Sequence, residues 1–259
     1  MPQRPSIRFS FLLFLPVLRT LRDFLLFLGN MVVRPERVRV LWHRTLEEIV
    51  LMGVESAFIV GLVALFIGAV TCLQVSYNLN IPFLPKSTIG FIVREMTLLE
   101  LAPTVTSIVL AGKVGSNIAG SLGTMRITEQ IDALEMMSIN PTSYLVLPRI
   151  LAAVVGFPLL VSLALGLALL GGYLAGTVSG QLSAHDYIEG LRYHFVPYEM
   201  AVALIKAVVF AFLIAAISAF RGFSTRGGAL AVGASSTAAV TQSIIAILLA
   251  DFGLARLLL

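Results

Sequence analysis

The sequence is short of charge. Lys and Arg number 18 and Asp and Glu 14, together 12% of 259 residues, about half the ~25% usual in soluble domains. Hydrophobic residues make up 58%. A soluble domain of this length leaves roughly 25–30% of its chain surface wet, and so few charges cannot cover it. That excludes an ordinary soluble enzyme, a disordered chain and a nucleic-acid-binding module. The net charge of +4 is a matter of membrane orientation, not of DNA. Cysteine is nearly absent. Cys72 stands alone, which excludes an internal disulfide and a cysteine-based zinc site. Histidine is scarce too. His43, His185 and His194 lie at or beyond the ends of the apolar runs, and no Gly-x-Ser-x-Gly occurs. An intramembrane serine protease, which needs a base within hydrogen-bond reach of its serine, finds no support. His185-Asp186 with His194 is the nearest thing to a metal site and reads more simply as surface residues. A phosphate-binding loop is also missing. The Gly112-Lys113 pair is followed by Val114, and Ser107 stands where that loop requires its first glycine. If transport is active, a separate chain must bind ATP.

What is present is a set of apolar runs long enough to cross a bilayer, which takes about 20 residues at 1.5 Å each. Five are expected, over about 49–79, 87–122, 144–178, 198–220 and from 229 onward. The first carries Glu55, the second Arg94, Glu95, Glu100 and Lys113, the fourth Lys206, and the last Asp251 near its end. Asn80 to Pro85 has two prolines and reads as a turn. Residues 6–28 mix Phe and Leu with Arg8, Arg19 and Arg22. A secretory signal fits poorly, because Pro16, Arg19, Arg22 and Asp23 break the run and no small-residue cleavage site follows. An amphipathic helix in the membrane interface is preferred, with a signal anchor or a true span as the other readings. The chain is thus expected to be all-α: residues 1–45 an N-terminal amphipathic segment, residues 46–259 a polytopic permease-like domain.

The arginines orient it. Arg4, Arg8, Arg19, Arg22, Arg34, Arg37, Arg39 and Arg44 precede the first span, which puts the N-terminus in the cytoplasm and, after five spans, the C-terminus outside. Arg126, Arg221 and Arg226 fall in loops on the same side; Lys86, Arg192 and Arg94 are assigned to the outer side. Gly172, Gly176 and Gly180, and the cluster Ala111, Gly112, Gly115, Ala119 and Gly120, allow close helix packing. No internal repeat is visible, so an inverted-repeat carrier gains no support.

One polar segment interrupts the pattern on the cytoplasmic side. Between Gly123 and Met137, Ile127, Ile131 and Leu134 recur at helical spacing, with Thr128, Glu129, Asp132 and Glu135 opposite; Asn140-Pro141 is expected to stop the helix. The segment, about 124–139, is a solvated loop helix, an interfacial helix or a docking surface for a soluble partner. Its acidic face suits anionic lipid poorly. Within the spans, Glu55, Glu100 and Lys206 are ionisable, which costs ~2.5–3.5 kcal/mol on insertion scales and marks candidates for function. Glu55 lies near enough to the interface to snorkel. Glu100 precedes Pro103, which weakens the helix locally. Glu100 and Lys206 either line a path or pair structurally. A relay through them would make an ion-coupled secondary transporter, the alternative reading.

The run Ala111 to Ser116, then Gly123 through Glu135, Asn140-Pro141 and Leu147-Pro148-Arg149 resembles the signature of MlaE-type permeases. Glu100-Leu101-Ala102-Pro103, Leu204 to Phe210 and Leu249-Ala250-Asp251-Phe252 extend the likeness from about Val32 onward. That family supplies the membrane subunits of Mce-associated ABC transporters, which move lipid between the two membranes of a diderm envelope. The resemblance implies an inner-membrane protein with a cytoplasmic coupling helix, in which Arg126, Glu129, Asp132 and Glu135 meet an ATPase subunit. On their own chemistry, as charges within spans beside a proline, Glu55, Glu100, Pro103 and Lys206 are the candidates for a substrate path. The resemblance also implies no cofactor in this chain, ATP in the partner, a second permease copy, a periplasmic Mce-domain protein, a small accessory regulator and membrane lipid. Two departures stand out: Leu99 occupies a position where the family often has Arg, and Lys113 replaces an Arg, keeping the charge and losing the planar fork.

Overall fold

In the computed structural model the described residues are 19–31, 38–79 and 85–258; most of the proline turn at 80–85 and the first eighteen residues lie outside them. Every described element is helical. We number them α1 (19–31), α2 (Val38–Asn78), α3 (Ser87–Ile127), α4 (Gln130–Met136), α5 (Thr142–Val178), α6 (Ala184–Arg192), α7 (Pro197–Phe223) and α8 (Ala229–Leu258). Five of them, α2, α3, α5, α7 and α8, are long and apolar enough to span a membrane. The chain is a polytopic all-α membrane protein. α2 begins at Val38, so the first long helix extends well into the arginine-rich N-terminal segment.

Small residues decide which helices touch. A Cβ on Gly68 of α2 would lie 1.8 Å from the Ala168 carbonyl oxygen, and one on Gly171 of α5 would lie 2.0 Å from that of Leu65. The two backbones therefore meet directly, as helices do where lipid offers no hydrophobic drive and close contact supplies the attraction. α3 meets α7 in the same way, since a Cβ on Gly222 would fall 2.6 Å from the Ala119 carbonyl. Glycines singled out by spacing have other duties. Gly172 accommodates the Tyr187 hydroxyl, Gly176 faces Cys72, and Gly180, at φ 68°, ends α5 in the left-handed conformation.

The two faces differ. Arg44, Arg126, Arg149 and Arg221 gather at the face that also holds α1 and α4. There Phe27 of α1 meets the Phe220 and Phe223 rings with centroids 5.7 and 5.4 Å away, and Asn140 donates to the Asn30 carbonyl at 2.9 Å. The opposite face is closed by α6. Ser183 caps it by accepting from the Asp186 amide at 3.1 Å. Tyr187, fully buried, donates to the Leu169 carbonyl at 3.0 Å, and burial pushes its phenol up. Arg94, assigned to the outer loops, does lie toward this face, but buried about two turns inside α3. Its guanidinium pairs with Glu95 and donates to the carbonyls of Leu191, Tyr193 and His194. A buried guanidinium persists because its donors are occupied, and here they tie α3 to the end of α6.

Candidate functional site

α3 is a straight-through helix only in outline. It carries two wide turns with π-type hydrogen bonding, Thr97–Val105 and Ala111–Gly115, the kind of local widening often found at functional sites. Pro103 lies in the first. It has no N–H to return to the carbonyl four residues back. That carbonyl, Leu99, accepts the Lys206 ammonium at 2.9 Å. The lysine of α7 is thus tied to the backbone of α3 within the widened turn that holds the proline.

Lys206 is 0% exposed and has two carboxylate partners: Glu100 at 3.0 Å and Asp251 of α8 at 2.8 Å. Thr104 donates to the other oxygen of Asp251 at 3.0 Å. Glu100 and Lys206 are therefore brought together, as the structural-pair reading has it. The two carboxylates are unlike: the Glu100 side chain is 48% exposed, that of Asp251 14%. Glu100 faces out of the bundle while Asp251 pins the loosely covered α8 to α3 and α7. Asp251 was visible in the sequence as an ionisable residue near the end of the last span. What spacing could not show is that the end of α8 lies level with the middle of α3.

Glu55 does not join this cluster. It lies on the exposed side of α2 farther toward the arginine-bearing face, where its backbone carbonyl accepts from Lys113. With Glu48, Ser56, Asn117, Ser121 and Arg149 these residues line a cleft of about 160 Å³ between α2, α3 and α5. Arg149 pairs with Glu48 at 3.0 Å.

The polar segment after α3 is reorganised relative to its expected outline. Residues 124–127 are the last turn of α3, and the helix proper is only Gln130–Met136. Glu129, at φ 60°, makes the corner between them, and Ser138, at φ 61°, ends α4 before Asn140-Pro141 is reached. Asn140 instead opens α5, accepting from Thr142 with its side-chain oxygen. Ile131 is fully buried and Leu134 packs on the core, as the periodicity requires. Glu129, Asp132 and Glu135 are exposed. Arg126 pairs with Asp132 at 2.6 Å and lies 5.8 Å from the Phe223 ring centre. Unforeseen were Met136 and Met137, whose side chains stand out in solvent beside the acids. Near the other face, among the described residues no three metal-ligating side chains converge, His185 and His194 included.

Residues 45–257 match the family model described as permease MlaE. A probable ABC transporter permease protein of Rickettsia felis is 35% identical over 80% of this chain and 80% of its own. The intermembrane phospholipid transport system permease protein MlaE of Haemophilus influenzae is 30% identical over 88% of this chain and 87% of its own. The chloroplastic protein trigalactosyldiacylglycerol 1 of Arabidopsis thaliana is 32% identical over 86% of this chain and 64% of its own. With five spanning helices and a match running from α2 to α8, the chain belongs to the MlaE family of ABC transporter permeases.

Proposed function

We propose that this permease moves phospholipid, or a lipid of related shape, between the inner membrane and the outer envelope, driven by an ATPase on a separate chain. The arginine-bearing face is the cytoplasmic one, so the N-terminus is inside and the C-terminus periplasmic. Exposed Glu129, Asp132 and Glu135, with Met136 and Met137 beside them, offer the ATPase a charged rim around an apolar tip. The observation that carries this reading is continuity. The tip joins α3 at the Glu129 corner, and α3 continues as one helical rod, through the widened turn at Ala111–Gly115, to Pro103 and the Lys206 cluster. A push on the tip therefore reaches the widened turn at Thr97–Val105. There a change of helix pitch would alter how Leu99, Glu100 and Asp251 share Lys206 and open a path beside α8. Lipid transport is named for the Haemophilus relative, which supports the substrate class. A second permease copy would complete the wall of the path, with an Mce-domain protein and a small regulator as further partners.

The test is association. Glu129→Lys and Asp132→Lys should each abolish co-purification of the ATPase from mild detergent, while the permease still elutes and melts as the unaltered protein does. Retention of the ATPase by both reversals would remove the docking role.

A further inference from the structure

We infer that the cleft between α2, α3 and α5 is a binding site for the zwitterionic headgroup of a phospholipid in the leaflet nearer the arginine-bearing face. This rests on the lipid-permease reading but concerns a place distinct from the Lys206 cluster. Along α3, Lys113 lies thirteen positions from Glu100, about 20 Å at 1.5 Å per residue. A hydrocarbon core is about 30 Å thick, so the two groups sit in different leaflets, and Lys113 falls near a headgroup level.

The lining carries both signs of charge: Lys113 and Arg149 with Glu48 and Glu55. A purely anionic ligand would use half of that set. A phosphodiester bearing an ammonium uses both cations and Glu55, with Glu48 left to hold Arg149 in place. Two donors wait unoccupied. Ser56 is 1% exposed and its hydroxyl has no partner, and the Arg149 Nη1 is buried without one while its Nε holds Glu48 at 3.0 Å. A phosphate oxygen can thus join Arg149 without breaking the pair to Glu48. A buried donor without a partner is costly, more so for a charged group, and a phosphate would relieve both. Lys113, held on the Glu55 carbonyl, has further N–H groups to give. The Glu55 carboxylate, on the exposed side, meets the ammonium.

Size and surroundings agree. The cleft, about 160 Å³ and lined mainly by polar and charged side chains at its mouth, takes polar headgroup atoms and not acyl chains. The chains have their own place. From Glu55, exposed Phe58, Leu62 and Phe66 climb α2 at steps of three and four, one apolar stripe leading away from the cleft.

A photo-crosslinking amino acid at Asn117, in the full chain reconstituted into vesicles, tests this. The vesicles hold phosphatidylethanolamine and phosphatidylglycerol in equal amounts, with a crosslinker at Phe58 as the measure of bulk lipid. We expect adducts at Asn117 to favour phosphatidylethanolamine at least fivefold over the Phe58 ratio. We expect Lys113→Gln, and separately Ser121→Leu, which fills the cleft without touching charge, to abolish that preference in folded protein. Soluble glycerophosphoethanolamine at millimolar concentration should not compete. Equal adducts from both lipids, or a preference that survives both variants, would overturn the site. Loss of the adduct to the soluble headgroup would replace a lipid with a free phosphodiester. The readout needs neither ATP nor ATPase, so failure here leaves the coupling test above unaffected.

Discussion

At the residue scale, the molecule turns on an ammonium shared by two carboxylates and a carbonyl. Removing one partner of a buried ion pair leaves an unpaired charge and costs about 3–5 kcal/mol. Lys206→Met should accordingly lower the melting temperature in detergent far more than Glu100→Gln, because Glu100 is half exposed and Lys206 is not. Equal losses would contradict the exposure argument, and small losses in both would mean that the cluster bears little of the fold. Glu100 and Lys206 were legible in the sequence because a charge inside an apolar run is conspicuous. Asp251 was less so: it lies near a chain end, where a charge is ordinary. Arg94 was assigned to the wrong setting for a similar reason, since an arginine near a span end normally reaches water, and here the backbone carbonyls of 191–194 replace it.

At the element scale, the closest approach is between α2 and α5. Gly68→Leu would drive a side chain into the Ala168 carbonyl and should prevent accumulation of folded protein, read as loss of a monodisperse elution peak. Gly156→Ala, on the same α5, meets nothing within 4 Å. It should keep or raise the melting temperature, with about 0.5–1 kcal/mol gained from helix propensity. Small-residue spacing announced that α5 could pack closely, but it pointed to Gly172, Gly176 and Gly180. Periodicity marks a face and is silent on its partner. Span positions were readable to within a few residues at most ends, since length and apolarity fix them. The first span was the exception, as α2 reaches back to Val38 through a stretch rich in arginine. The wide turns of α3 left no trace in pattern beyond Pro103. The corner at Glu129 left none, because its left-handed backbone is imposed by Ile131 and Leu134 seating on the core.

At the scale of the whole molecule, the two faces make a topology that can be measured. Cys72, the lone cysteine, is buried, so single cysteines can be placed on a quiet background. A membrane-impermeant maleimide should label Tyr193→Cys from outside intact cells with the outer membrane opened, and Met136→Cys only after the inner membrane is breached. The reverse pattern would invert the assignment of faces. The chain carries no phosphate-binding loop, and its charge cluster is held by fixed partners at 2.8–3.0 Å, an arrangement that suits a gate moved from elsewhere. The most direct measurement of the central claim is therefore lipid movement in liposomes, with the purified chain alone and then with its ATPase and ATP. Labelled phospholipid should stay in place with the permease alone under any ion gradient and move only when the ATPase hydrolyses ATP. Movement driven by an ion gradient through this chain alone would contradict the account.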